Sequence, residues 1–198
     1  MNYLAHLFLS AHNHELMIGN FIADSVKGNQ YNNYSEGIKN GIIMHRTIDD
    51  FTDKHLLVRA SKKYFVKDFD KYSGVLIDIY FDYFLAQKFS HYSSVPLKSF
   101  AANTYTMLNN NKHVFPEKST YFFDYMIREN ILLNYAEVEG IKKVLYGMTH
   151  RIKKRVLLYN SMESFQNNEE QLRSNFIIFF EELKTHLNKK KYFPESDF

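Results

Sequence analysis

The sequence predicts an all-α protein: one helical-bundle domain over residues 1–198, with about seven to nine helices around a single core. Three observations predict it. Gly and Pro are scarce, 7 and 3 in 198 residues, which favours long helices over a turn-rich β architecture. Apolar residues recur at helical steps, as in Phe165, Leu172, Phe176, Phe179 and Leu183. No segment alternates polar and apolar residues as a half-buried strand does.

Taken in order, residues 2–11 pair Tyr3 with Leu7 and Leu4 with Phe8, which predicts a short helix. Residues 15–26 predict a second, with Asp24 on the face of Met17, Asn20 and Phe21. Gly28 and the Asn-rich NQYNNY read as a loop, and Ser35 as the N-cap of a third helix. A short helix over 56–66 follows. Asp68 or Asp70 is the expected cap of a long central helix over 70–91. Pro96 and Pro116 open helices over 96–109 and 116–134. Val138, Ile141, Val144, Leu145 and Met148 predict a helix over 135–149, and the last runs from 160 to 188.

Chemistry concentrates in three stretches. In residues 38–53, IKNGIIMHRTIDDFTD, a helix places Ile38, Ile42, His45, Asp49 and Thr52 in one row, with Arg46, Asp50 and Asp53 beside it. An imidazole and a carboxylate four residues apart can face one metal ion or one phosphoryl group. Residues 74–86, GVLIDIYFDYFLA, carry Asp78 and Asp82 in an otherwise apolar run. Residues 19–24, GNFIAD, end in Asp24. A carboxylate on a buried face is costly unless it is paired, hydrogen-bonded or bound to a cation. Mixed imidazole and carboxylate donors suit Mn, Fe, Zn or Mg.

Other chemistries are excluded. There is no Cys, hence no disulfide, thiol nucleophile or thiolate-ligated metal. No GxxxxGK[ST], strand-linked GxGxxG or GxSxG occurs. A net charge of +3 is too small to predict nucleic-acid binding. No apolar run approaches the roughly 20 residues of a membrane span, and the start of the chain does not read as a signal peptide; the expected location is the cytoplasm.

MNYLAHLFLS, GNFIADSVKGN, GIIMHRTIDDFTDKH and IDIYFDYFL, in this order and spacing, resemble the acyl carrier protein phosphodiesterase family. The resemblance implies a helical fold similar to HD-type metal-dependent phosphohydrolases. It also implies hydrolysis of holo-acyl carrier protein to the apo-protein and 4′-phosphopantetheine, with a divalent cation such as Mn (Mg or Fe being alternatives). Asp24 matches the aspartate of the family's GNxxAD motif, and His6, His45, Arg46, Asp49, Asp78 and Asp82 match other motif positions. Where family members often have His after the second aspartate of the central helix, this chain has Tyr83. On this reading His45, Asp24 and Asp78 lead the metal ligands, with His6, Asp49 and Asp82 as further ligands or as groups that orient them. Asp24, Arg46 and Asp49 are the catalytic candidates, Arg46 by neutralising phosphate charge. Arg151, Lys153, Lys154 and Arg155 are the candidate docking residues for an acidic carrier protein. Two alternatives stand beside this reading: an HD-like enzyme acting on a nucleotide or small phosphate ester, and a non-catalytic helical binding module.

Overall fold

A computed structural model of the chain describes residues 1–11, 13–151, 156–190 and 192, with the side chain of Arg151 left out. The described residues form α-helices and short 3-10 turns with no strand. The helices are α1 (Tyr3–Phe8), α2 (His14–Ile22), α3 (Glu36–Lys54), α4 (Leu56–Phe69), α5 (Ser73–Gln87), α6 (Phe89–Tyr92), α7 (Leu97–Asn110), α8 (Glu117–Arg128), α9 (Ile131–Asn134), α10 (Val138–Arg151) and α11 (Ser161–Lys189). Among the described residues no helix is long and apolar enough to cross a membrane.

Helix α5 runs through the core. Leu76, Ile77, Ile79, Tyr80, Phe81, Phe84 and Leu85 are fully buried, and Gly74, Val75 and Asp78 at its start are partly exposed. Against it lies α11, whose Phe165, Leu172, Phe176, Phe179 and Leu183 are the buried stripe that its spacing predicts. Tyr80 stacks on Phe165 at 4.1 Å between ring centroids.

The helix ends follow local chemistry. Ser35 caps α3 by accepting from the Ile38 N–H, as expected. The long central helix predicted over 70–91 begins later and ends earlier. Asp70 takes a positive φ of 44° as the C-cap of α4, and no side chain caps α5, so neither Asp68 nor Asp70 has the predicted capping role. The helix predicted over 116–134 is likewise cut at Asn130, whose φ of 49° is left-handed, a conformation that Asn tolerates better than most residues.

The most extensive helix pair is α2 with α3. They cross at Gly19 and Gly41: a Cβ at Gly19 would overlap the Ile38 carbonyl oxygen, and one at Gly41 would overlap that of Leu16. The obstacle is backbone, which cannot step aside as a flexible side chain can. This close approach brings Asn20 of α2 beside His45 of α3. Gly19→Ala is therefore expected to destabilise the fold by about 1–3 kcal/mol, the range for overpacking a tight contact, read as a lower midpoint in urea unfolding. An unchanged midpoint would contradict the contact.

Candidate metal centre

Four chain segments deliver one cluster. α1 carries His6, α2 carries Asn20, the 3-10 turn Ala23–Ser25 carries Asp24, and α3 carries His45 and Asp49. His6 and His45 are 4% and 7% exposed, and their rings stack at 4.1 Å and 22°.

The Asn20 side chain sets the orientation of both rings. Its Nδ2 donates to the His6 carbonyl at 2.8 Å and to Ser10 Oγ at 3.1 Å, which fixes Oδ1 as the other end of the amide. Oδ1 then accepts from His6 Nδ1 at 2.8 Å and His45 Nδ1 at 3.0 Å. His45 Nδ1 also lies 2.8 Å from the Asn20 carbonyl oxygen. An oxygen acceptor requires N–H at both Nδ1 atoms. Both Nε2 atoms therefore face the other way, toward carboxylates. His6 Nε2 lies 3.3 Å from Asp49 Oδ1; His45 Nε2 lies 3.1 Å from Asp49 Oδ2 and 3.3 Å from Asp24 Oδ1.

His6, His45 and Asp49 each offer one ligand atom, all within 4.8 Å of one another. Two imidazoles with fixed tautomers and converging carboxylates suit a divalent cation. The carboxylates are the open side, with the Asp24 and Asp49 side chains 63% and 45% exposed. The charges agree with one cationic position. Burial alone would lower the His45 pKa, but hydrogen bonds to Asp24 and Asp49 outweigh it and raise it from 6.5 to about 9. Burial and the neighbouring His45 hold His6 below the usual imidazole range. The hydrogen bond to His45 lowers Asp24. Burial opposes ionisation of Asp49, yet the hydrogen bonds from His45 and His6 hold it well below the usual carboxylate range.

Two ligands expected from the sequence stand elsewhere. Asp78 pairs with the Met1 ammonium at 2.8 Å. Asp82, fully buried, accepts from the backbone N–H groups of Asn2, Leu4 and Ala5 at 3.1, 2.7 and 3.4 Å. Burial pushes its carboxyl up to about 7 against the pull of the Met1 ammonium and those N–H groups. Both aspartates are thus committed to the start of the chain, and they seat α1, the helix that carries His6. At Asp82 the demand of a buried carboxylate is met by backbone donors, and at Asp78 by the Met1 ammonium.

Arg46, expected to neutralise phosphate charge, is held by the loop that follows Asp24. Its Nη2 donates to the carbonyls of Val26 and Gly28 at 2.9 and 3.0 Å, and its guanidinium lies over the Tyr31 ring at 5.1 Å. It ties down the loop that follows Asp24. Tyr83 meets Phe165 edge-on at 5.5 Å and makes none of the cluster's contacts. Of the expected docking residues, Arg151 ends α10, while Lys153, Lys154 and Arg155 lie outside the described residues. Sequence reasoning did not single out Asn20; its signal was a lone amide in the apolar run MIGNFIA.

The described residues thus combine an all-helical fold with one imidazole–carboxylate cluster. The sequence model of the family described as "Acyl carrier protein phosphodiesterase" matches residues 1–183. A protein named acyl carrier protein phosphodiesterase from Serratia proteamaculans is 30% identical over 192 residues, covering 96% of this chain and all of the relative. One of the same name from Yersinia pestis is 32% identical over 181 residues, 91% of this chain and 94% of the relative. The chain belongs to the acyl carrier protein phosphodiesterase family. No solved structure matches, so the implied likeness to HD-type enzymes is not confirmed.

The raised His45 pKa has a sign that can be tested. In the metal-free protein the His45 ion pairs contribute stability that is complete below pH 6.5 and is lost as pH rises through about 9. Urea unfolding with a chelator present is expected to show stability falling across that window, and His45→Gln is expected to flatten the decline. A wild-type profile that is flat or rising there would contradict the pairing.

Proposed function

We propose that this chain is a cytoplasmic phosphoric diester hydrolase that removes 4′-phosphopantetheine from holo-acyl carrier protein with a divalent cation, Mn foremost. The observation that carries the proposal is the pair of buried imidazoles whose Nε2 atoms are turned by Asn20 onto Asp49 and Asp24. Family membership supplies the substrate.

His6 Nε2, His45 Nε2 and Asp49 would hold the cation, with Asp24 beside them on the open side. When bound, the cation polarises a phosphoryl oxygen and lowers the pKa of a water molecule. Asn20 keeps the two imidazoles from turning. Asp24, at the solvent face, orients the attacking water by accepting its hydrogen bond. Arg46 holds the 26–28 loop, and with it the approach to Asp24, in one position. In the reaction, the water oxygen bonds to phosphorus, the bond from phosphorus to the carrier serine oxygen breaks, and of the water's two protons one passes to the serine oxygen and the other stays with the phosphate product.

Incubation with holo-acyl carrier protein, followed by mass spectrometry, tests this. Loss of the prosthetic-group mass is expected with Mn and not with chelator, and Asp24→Ala is expected to slow it at least about 100-fold, the scale for a positioned catalytic group. An unchanged wild-type spectrum would remove the carrier protein as substrate, and turnover of nucleotides or small phosphate esters would then favour the alternative hydrolase.

A further inference from the structure

We propose that the groove between α8 and α10 is the docking surface for an acid-rich amphipathic helix of the protein substrate; the identity of that substrate rests on the function proposed above. The groove has a volume of about 1250 Å³. A helix about 10 Å across fills that volume over roughly three turns. A detached prosthetic group or a nucleotide is far smaller.

The walls are those of a protein-binding site. Tyr121, Phe122, Tyr125, Tyr146, Tyr159 and Met162 line the groove. Tyr121 and Tyr146 are 69% and 58% exposed and line the same groove, so their apolar area lies in one patch. Tyrosine offers apolar area and a polar tip at low entropic cost, which is why it is enriched at interfaces. At Gly147 a Cβ would collide with the Tyr125 hydroxyl, so the absence of a side chain there keeps this stretch of α10 open to the Tyr125 ring.

The charge in the groove selects the partner. Of the carboxylates that line it, Glu139 pairs with Lys142 at 2.6 Å and Glu129 with Arg128 at 2.9 Å, while Glu117 accepts from the neutral Tyr121 Oη at 3.2 Å and keeps its charge. Among the described residues, the lining residues Lys118 and Lys143 have no carboxylate partner. Two lysines thus face one carboxylate that no cation neutralises, a small excess of positive charge above an aromatic floor, which complements a helix that is apolar on one face and acidic at its edges.

The groove also leads to the metal centre. Ser119, in the first turn of α8, donates through Oγ to Ser25 Oγ at 2.8 Å, and Ser25 follows Asp24. Phe122 stacks on Tyr3 at 4.3 Å, one turn of α1 before His6. A helix seated between α8 and α10 therefore has one end beside the segments that carry Asp24 and His6. A serine at that end is presented to the carboxylates.

Binding of apo-acyl carrier protein, which has no bond to hydrolyse, reads docking apart from catalysis. Calorimetry is expected to give a Kd that rises at least about tenfold for Tyr146→Ala and for Lys143→Glu, and that weakens with salt for the wild type. Both residues are outside the metal cluster, and an unchanged melting temperature checks that each variant folds. In kinetics with holo-acyl carrier protein and Mn, the same variants are expected to raise KM and leave kcat unchanged. Apo-protein that binds wild type and both variants equally, or binds none of them, would overturn the proposal. So would concentration-dependent dimerisation abolished by Tyr146→Ala with no change in carrier binding, which would make the groove a self-association surface. Wild type that binds the apo-protein through the groove but leaves the holo-protein uncut would instead refute only the proposed reaction.

Discussion

One carboxamide holds the centre together. Asn20 is 1% exposed, and its oxygen accepts from an imidazole of α1 and an imidazole of α3 while its nitrogen donates back to α1. A buried amide left unsatisfied is costly, so the three helices are bound to one relative placement. The same bonds determine which nitrogen of each ring is presented to a ligand. Packing and chemistry are set by one side chain here. That arrangement in turn depends on Gly19 and Gly41, because their close α2–α3 crossing puts the amide within reach of the His45 ring.

The two aspartates of α5 serve the centre at one remove. Helix α5 is otherwise apolar all round, and a carboxylate there needs compensation. Asp82 receives it from three backbone N–H groups at the start of α1, and Asp78 from the Met1 ammonium. The free N–H groups that begin any helix are satisfied in the same bonds. A short helix of six residues, marginal alone, is thereby seated on the core, and His6 is delivered to His45. Arg46 does the comparable work for the loop after Asp24.

Much of this was legible in the sequence. The buried row of α11, the Ser35 cap, and the His45–Asp49 pair at four-residue spacing follow from periodicity and capping chemistry. His6 and Asp24, far apart in the chain, carried their signal as polar groups on apolar segments. The same signal misled at Asp78 and Asp82. Spacing shows that a buried carboxylate needs a partner, but not whether that partner is a cation or a backbone N–H from residues about 80 positions away. Asn20 was passed over because an amide is neutral and its bonds are long-range. The groove between α8 and α10 was invisible for another reason: it exists only once two separate amphipathic helices leave a gap.

The most direct measurement is anomalous diffraction from crystals of this protein soaked in Mn. The account predicts one ion peak within bonding distance of His6 Nε2, His45 Nε2 and an Asp49 oxygen, with Asp24 at its solvent side and Asn20 still bonded to both Nδ1 atoms. A peak at Asp78 or Asp82, or none at the two imidazoles in crystals of catalytically active protein, would contradict it.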